Sequence, residues 1–419
     1  MIELQAEQEK KVRCFLVYPY GNNTIELQNL TETLELEVSG LIVLPQNPSE
    51  GNVARYGIGT GKAQEIVEKA LELESDCIIF DTEITPTRQR NWEKLAKIPV
   101  FDRQEVILRI FASRARTKEA VLQVELARLT YSLPRLAHSY GDLARQRGGS
   151  YGSKGAGETK LELDKRGVQQ KIVQVKRELE KVVKERNTQR KRREKIPLPT
   201  CALVGYTNAG KSSLLNVLTG SNVLAEDKLF ATLDPTTRRL SLKGGTNLLL
   251  TDTVGFISNL PHNLVDAFKS TLEEAAKADL LLLVVDASDI NAKEQYKTVC
   301  NVLEEIGATN NNRITVLNKI DLLKENDLRE ANLQKDFSNT NRVSTFTKEG
   351  LPELLENICD KLAGEEESFK IPYSMANILE LIRKTGTISK EEWLDDYIFF
   401  TGRVSKNSGL KEKLQNYKI

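Results

Sequence analysis

Histidine is rare in this chain, and its cysteines are never paired in a motif. With two histidines in 419 residues, a histidine-built catalytic or zinc site is not expected. The five cysteines are widely separated and none stands in Cys-x-x-Cys, which argues against a thiolate metal site and is typical of a reduced compartment. No run approaches the ~20 apolar residues of a membrane-spanning helix, and the polar N-terminus lacks a signal peptide's hydrophobic region. We therefore expect a cytoplasmic protein without a transmembrane segment.

The composition is that of a soluble globular protein, but the charge is unevenly distributed. Apolar residues make up 40% and charged residues 28% of a chain long enough for two or three domains. Between Arg145 and Lys195, 17 lysines and arginines stand against 7 acidic residues, so the rest of a chain with net charge +1 carries −9. This segregation predicts that one region binds a polyanion.

The octapeptide 205–212 has the pattern of a phosphate-binding loop. It follows the apolar run 201–204 and precedes the apolar-periodic segment 214–218, which predicts strand, tight loop and helix. The glycines let the backbone present successive N–H groups to a phosphate, Lys211 can reach the β- and γ-phosphates, and the Ser212 hydroxyl can bind Mg²⁺. The predicted phosphate-binding residues are Gly205, Tyr206, Thr207, Asn208, Ala209, Gly210, Lys211 and Ser212.

Two later motifs each follow an apolar run and indicate which nucleotide is bound. Asp252 ends one run, where its carboxylate can hold the magnesium coordination shell while the N–H of Gly255 meets the γ-phosphate. The carboxylate of Asp321 can accept from both N–H groups on guanine's amidine edge, a pattern that adenine lacks. The two motifs are Asp252, Thr253, Val254 and Gly255, and Asn318, Lys319, Ile320 and Asp321. In this order they predict a guanine-nucleotide switch.

The segment before Asp252 supplies threonines, whereas the catalytic residue stays unassigned. Thr232, Thr236 and Thr237 can each complete a magnesium coordination shell and sense the γ-phosphate. Phe256 stands where many GTPases carry an amide that orients the attacking water. Because phenylalanine neither donates nor accepts, we predict slow intrinsic hydrolysis that a partner surface or a rearranged loop stimulates.

The order of patterns predicts a multidomain α/β fold. The predicted domains are a small N-terminal α/β domain (1–103), a long antiparallel helical hairpin with a glycine-rich basic tip at 141–157 (104–196), a central P-loop GTPase domain (197–364) and a small C-terminal α+β domain (365–419). In the hairpin, apolar residues at helical spacing predict a first helix interrupted at Pro134 and a second from Glu158 to Lys195.

The hairpin tip is the predicted RNA contact. No acidic residue lies between Asp142 and Glu158, and the glycines there permit close backbone approach. Cations can neutralise phosphates, and an aromatic ring can stack on an unpaired base. The candidate RNA contacts are Arg145, Arg147, Tyr151 and Lys154.

Taken together, these motifs resemble those of the HflX-type ribosome-associated GTPases over nearly the whole chain. The matching segments are 205–212, 230–237, 252–257, 56–62, 110–117, 123–127 and 155–162. The resemblance implies a GTPase that binds GTP with Mg²⁺ and hydrolyses it to GDP. It also implies binding to the large ribosomal subunit, on rRNA near the peptidyl-transferase region, and in several members the separation of stalled or idle ribosomes into subunits.

The resemblance also implies roles for particular residues. Thr232 becomes the preferred second magnesium ligand beside Ser212. The implied switch segment is Phe230, Ala231, Thr232, Leu233 and Asp234, and the implied base-contacting loop is Ser344, Thr345 and Phe346. Thr345 stands where an alanine is usual, a change that leaves the main-chain N–H for guanine O6 in place.

Two other functions stay open: a passive RNA-binding module that nucleotide merely stabilises, and a signalling GTPase that docks on a protein through its C-terminal domain. Stimulation of hydrolysis by ribosomes would exclude the first, and ribosome-independent stimulation by a protein would support the second. We expect a monomer, and a peripheral membrane association stays open beside the cytoplasmic location.

Overall fold

The structure of this chain is a computed structural model. It describes residues 11–46, 54–139, 154–193, 198–221, 228–242, 247–258, 274–308, 312–323, 333, 335–337, 339–363, 366–404 and 409–419. The described residues form two compact units, one up to Lys181 and the other from Val182 onward. No helix among them combines the length and apolarity needed to cross a membrane.

A four-stranded parallel sheet organises the first unit. Its strands are β1 (Arg13–Tyr18), β2 (Glu37–Val43), β3 (Cys77–Phe80) and β4 (Val100–Asp102), in the order β2-β1-β3-β4. The helices are α1 (Thr24–Thr33), α2 (Thr60–Glu72), α3 (Pro86–Ala96) and α4 (Arg103–Arg114). Helix α4 begins where the Asp102 side chain accepts from the N–H of Glu105, which satisfies one free donor of its first turn.

The core of this unit is built around Trp92. The ring lies 5.3 Å from Tyr56 and 4.9 Å from Phe80, centroid to centroid, and its indole N–H donates to the main-chain oxygen of Tyr56 over 3.0 Å. Burying this ring with its N–H satisfied stabilises the packing of α3 on the sheet.

Two long helices complete the first part of the chain. They are α5 (Lys118–Ser139) and α6 (Lys154–Arg193). Of the candidate RNA contacts, Arg145, Arg147 and Tyr151 lie outside the described residues, and Lys154 is described only as the first residue of α6.

The prediction that Pro134 interrupts the first helix was wrong. Helix α5 continues through Pro134 to Ser139. The next residue, Arg135, holds the turn in place, because its guanidinium donates to Asp102 Oδ2 (2.9 Å) and to the main-chain oxygens of Ile84 and Tyr131 (both 3.1 Å). These bonds, two of them to residues outside the helix, offset the hydrogen bond that proline removes.

A six-stranded sheet forms the core of the second unit. Its strands are β5 (Thr200–Gly205), β6 (Thr236–Ser241), β7 (Asn247–Asp252), β8 (Leu280–Asp286), β9 (Asn312–Asn318) and β10 (Thr340–Arg342), in the order β10-β9-β8-β5-β7-β6. Every neighbouring pair is parallel except β6 with β7. The helices described with this sheet are α7 (Lys211–Thr219), α8 (Ala292–Glu305) and α9 (Leu351–Ala363). All three nucleotide motifs follow C-terminal strand ends, so they share one edge of the sheet.

The end of the chain forms a smaller antiparallel sheet. Its strands are β11 (Glu366–Ile371), β12 (Thr387–Trp393) and β13 (Ile398–Arg403), in the order β11-β13-β12, with helices α10 (Asn377–Thr385) and α11 (Leu410–Leu414). Stacked rings of Phe369 and Phe400, 5.0 Å apart, lie in its core. The predicted fold class, a mixed α/β chain of several domains, is confirmed.

Candidate nucleotide and magnesium site

The phosphate loop leaves β5 and enters α7 through a glycine that no other residue could replace without strain. Gly210 has φ +92° and caps α7, and a Cβ on it would lie 2.2 Å from Asn318 Nδ2. Asn208 also has a left-handed conformation (φ 61°), so two residues with positive φ give the loop its curvature. The first N–H groups of α7 therefore point into the loop, where an anion binds favourably.

Lys211 is buried at the start of this helix. Its ammonium donates to the main-chain oxygens of Gly205 (3.1 Å) and Tyr206 (2.7 Å). Burial lowers the pKa of Lys211 to about 8, and the nearby Asp252 carboxylate partly offsets that effect. A phosphate beside this group would stabilise the charged ammonium and raise the pKa again, so the site is electrostatically suited to an anion.

Hydroxyl and carboxylate oxygens converge next to the phosphate loop. Ser212 Oγ lies 2.6 Å from Asp252 Oδ2 and 2.9 Å from Thr232 Oγ1. Asp252 Oδ1 is buried without a hydrogen-bond partner, and burial raises the pKa of this carboxyl. Clustered oxygens with an unsatisfied carboxylate atom are the donor set that suits a hard divalent cation such as Mg²⁺.

The other two threonines considered from sequence lie elsewhere. Thr236 and Thr237 belong to the antiparallel strand β6, and Thr237 Oγ1 is 2.9 Å from Thr251 Oγ1. The switch segment around Thr232 is held by its neighbours Phe230 and Leu233, each only 2% exposed. Asp234 is half-buried. A pocket combines this segment with the phosphate loop, and its lining includes Thr207, Lys211, Ser212, Ala231, Thr232 and Gly255.

The motif after β7 is packed closely against the phosphate loop. The Thr253 hydroxyl donates to the main-chain oxygen of Leu203 over 2.7 Å. Val254 is buried, and a Cβ on Gly255 would lie 2.9 Å from the Cα of Thr207 and 3.0 Å from Lys211 Nζ. There is therefore no room for a larger residue than glycine where this motif approaches the phosphate loop.

The base-recognition motif is bonded both to the phosphate loop and to the loop after β10. The Asn318 amide donates to the main-chain oxygen of Ala209 over 2.9 Å, and its oxygen accepts from the N–H of Thr345 over 3.3 Å. The Ser344 hydroxyl donates to Asp321 Oδ1 over 2.5 Å. These bonds leave the second oxygen of this exposed carboxylate available to a ligand. Ile320 is buried beneath it, and the neighbouring Phe346 is 87% exposed.

Sequence analysis missed one residue of this region. Asp286, at the end of β8, forms an ion pair with Lys319 in which Nζ and Oδ2 are 2.8 Å apart. Lys319 itself is left-handed (φ 62°), and the ion pair fixes the direction of its side chain. The sequence signal for this residue was an acidic side chain at the end of the apolar run 280–285. Many ordinary strands end in the same way, so the signal did not point to a site.

A phosphate loop, a carboxylate at a neighbouring strand end and an Asn-Lys-x-Asp motif on one edge of a parallel sheet define a P-loop GTPase. A GTPase HflX of Akkermansia muciniphila is 44% identical over 418 residues, covering 94% of this chain and 95% of that protein. One from Caldanaerobacter subterraneus is 43% identical over 423 residues (100% and 96%), and one from Escherichia coli K12 is 42% identical over 386 residues (91% and 90%). The chain belongs to the HflX family of GTPases and is a GTP hydrolase.

Three family models agree with this assignment and together match most of the chain. The description "GTP-binding GTPase N-terminal" matches residues 22–112, "GTP-binding GTPase Middle Region" matches 114–193, and "50S ribosome-binding GTPase" matches 200–319. The recognition made from sequence motifs is thereby confirmed.

Proposed function

We propose that this protein binds GTP with Mg²⁺, hydrolyses it to GDP, and uses the cycle to bind the large ribosomal subunit and separate stalled or idle ribosomes. The observation that carries the nucleotide part is the convergence of Ser212, Thr232 and Asp252 beside Lys211. The ribosomal part is supported by the family to which the chain belongs and by the description of the family model that matches its GTPase domain.

Each part of the nucleotide has a counterpart in the site. The phosphate loop and Lys211 hold the β- and γ-phosphates, and the N–H groups of Thr232 and Gly255 meet the γ-phosphate. Ser212 and Thr232 would hold Mg²⁺, which would supply positive charge to the phosphates, while Asp252 would orient the hydroxyl of Ser212. Asp321 accepts from the guanine N–H groups, and the loop 344–346 closes over the base.

Hydrolysis needs a group that positions the attacking water, and Phe256 does not supply one. Its side chain is 3% exposed and therefore faces the protein interior. We propose that intrinsic hydrolysis is slow and that the ribosome completes the site, since many GTPases gain several orders of magnitude in rate when a partner does so.

The basic region supports the same assignment. We propose that the N-terminal α/β domain and helical hairpin, residues 1–196, reach rRNA through Arg145, Arg147, Tyr151 and Lys154, while residues 197–364 bind the nucleotide. GTP would order the switch segments and favour the ribosome-bound arrangement of the hairpin.

Sedimentation of ribosomes tests this function. Intact 70S ribosomes are mixed with the protein and GDP, GTP or a non-hydrolysable GTP analogue and separated on sucrose gradients. Subunits are expected only with the triphosphates, and GTP hydrolysis should rise when ribosomes are added. Ribosomes that stay intact in every nucleotide state, without stimulated hydrolysis, would refute the ribosomal role and favour a signalling GTPase.

A further inference from the structure

Tyr206, the second residue of the phosphate loop, contacts the segment that follows Gly255. Its hydroxyl accepts a hydrogen bond from the main-chain N–H of Ser258 over 2.6 Å, and the residue is 8% exposed. Phosphate binding does not use this hydroxyl, because the loop offers its main-chain N–H groups and Lys211 to the anion. The contribution of the Tyr206 hydroxyl must therefore come through its hydrogen bond to Ser258.

The bond to Ser258 extends a short ladder between the two segments. The N–H of Phe256 donates to the oxygen of Gly205 (3.1 Å), and the N–H of Thr207 donates to the oxygen of Phe256 (2.7 Å). Tyr206 and Phe256 thus pair as an isolated parallel bridge beyond the end of β5. Because the side chain of Phe256 is buried, this pairing is anchored in the interior of the domain.

Gly255 lies one residue before this ladder and directly against the phosphate loop. A Cβ there would contact Thr207 at 2.9 Å and Lys211 Nζ at 3.0 Å, so the main chain of Gly255 already lies close to the group that binds the γ-phosphate. A shift of the segment by about 1 Å would break a hydrogen bond between the Gly255 N–H and a γ-phosphate oxygen. The bond between Tyr206 and Ser258 opposes such a shift.

We propose that Tyr206 is a positioning residue for the γ-phosphate: its hydroxyl fixes Ser258, and through the short chain between them Gly255, to the phosphate loop. This inference rests on the proposed function of the site as a GTP-binding pocket. Tyr206 touches no phosphate itself. The α- and β-phosphates are held by the loop alone, so GDP binding is independent of the hydroxyl, whereas GTP binding and hydrolysis depend on it.

The substitution Tyr206→Phe removes the acceptor and keeps the ring. Affinities for GDP and for a non-hydrolysable GTP analogue are measured with Mg²⁺, together with kcat and KM for GTP. The loss of one hydrogen bond predicts about fivefold weaker binding of the analogue, a lower kcat, and a GDP affinity within about twofold of wild type. Tyr373→Phe is the matched control, because it removes a hydroxyl that donates to the main-chain oxygen of Leu394, directly after β12.

The outcomes separate this inference from the proposed function. An unchanged ratio of analogue to GDP affinity in Tyr206→Phe, or equal weakening of both, would overturn the positioning role. Failure of the wild-type protein to bind GDP would instead refute the proposed function.

A measurement on the wild-type protein gives a second test that needs no variant. Because coupling is reciprocal, a γ-phosphate bound at Gly255 must strengthen the Tyr206–Ser258 bond. Amide hydrogen exchange at Phe256 and Ser258 is therefore expected to be slower with the GTP analogue than with GDP. Equal exchange with the two nucleotides would count against the proposal even if Tyr206→Phe does not fold.

Discussion

Asn318 donates from its side-chain amide to the main-chain oxygen of Ala209 over 2.9 Å, which joins the base-recognition motif directly to the phosphate loop. The same amide nitrogen occupies the space that a Cβ on Gly210 would need. The position of the Asn318 side chain relative to the phosphate loop is thus fixed by a direct hydrogen bond and by close packing against Gly210.

Asp321→Asn should change the base preference of the site. An amide in place of the carboxylate loses acceptance from two guanine N–H groups but can donate to the extra carbonyl of xanthine. We expect GDP affinity to fall by about 100-fold, and xanthosine diphosphate to bind better than GDP, in competition binding assays. Asp336→Asn, which removes a surface ion pair with Lys293, is the control and should change neither affinity. Retained preference for guanosine in Asp321→Asn would contradict the assignment.

Ser212→Ala should uncouple nucleotide binding from Mg²⁺. The hydroxyl lies between Asp252 and Thr232, so its removal deprives the cation of a protein ligand. We expect the gain in GDP affinity that Mg²⁺ gives the wild-type protein to shrink by about tenfold in titrations with and without EDTA. The control is Ser221→Ala, which removes a hydroxyl just beyond the C-terminal end of α7 that bonds to Thr219. In this variant Mg²⁺ should raise GDP affinity as much as in the wild-type protein. A normal Mg²⁺ effect in Ser212→Ala would disprove the proposed ligand.

Charge reversal at Arg145, Arg147 and Lys154 should weaken ribosome binding in a salt-dependent way. If each cation neutralises one phosphate, the reversed triple variant should bind with a salt slope lower by about 2 in log–log units. The control is a double reversal at Lys69 and Arg109, which are half exposed in the N-terminal domain. Affinity and slope that match the wild-type protein would show that the hairpin tip is not the RNA contact.

Arg135→Leu should strongly destabilise the first unit. The guanidinium is the ion-pair partner of Asp102, whose side chain is 1% exposed, so its loss leaves a buried carboxylate without its cation. We expect the free energy of unfolding to fall by about 3 kcal/mol in urea titrations followed by tryptophan fluorescence. Lys69→Met, which removes an exposed pair with Glu65, should cost at most ~0.5 kcal/mol. Equal effects of the two substitutions would contradict a structural role for Arg135.

Stability of the first unit should fall at alkaline pH because of two buried thiols. Cys14 and Cys77 pair in register across β1 and β3, and burial raises the pKa of Cys14 to about 12 and of Cys77 to about 11. Below pH 9 the thiols are neutral in both states and have no effect. From pH 9 upward the unfolded chain ionises first, so each thiol lowers the free energy of unfolding by about 1.4 kcal/mol per pH unit until its native pKa is reached.

Urea titrations between pH 8 and pH 10.5 would measure this decline. A Trp393→Phe background leaves Trp92 as the single tryptophan, so its fluorescence reports on the first unit. The Cys14→Ala, Cys77→Ala double variant should show a shallower decline above pH 9. The same slope with and without the thiols would refute the explanation.

The sequence predicts the strands that carry the nucleotide motifs to within about two residues, because buried parallel strands read as continuous apolar runs. The runs before Asp252 and Asn318 illustrate this, since β7 and β9 end at those residues. The helix predicted around 214–218 is confirmed as α7, which begins at Lys211 directly after Gly210 of the phosphate loop.

The features that the sequence predicted wrongly, or did not predict, depend on tertiary contacts. Nothing local indicates that Arg135 would hold α5 together beyond Pro134, because its partners lie 33 and 51 residues away along the chain. Residue chemistry alone does not distinguish between the three threonines of this segment. The fold does, because it places the Thr232 hydroxyl beside that of Ser212. The ion pair of Asp286 with Lys319 likewise joins two strand ends that are remote in sequence.

The burial of Phe256 restricts how the speed of this GTPase can change. A Phe256→Gln substitution would not provide an amide for the attacking water, because the new side chain would point into the interior and cost about 2 kcal/mol or more to desolvate. Turning it outward would require Gly205 and Thr207 to release their main-chain bonds. A substitution at position 256 alone is therefore not expected to raise the intrinsic rate of GTP hydrolysis. A faster enzyme would need a different main-chain path for the segment after Gly255.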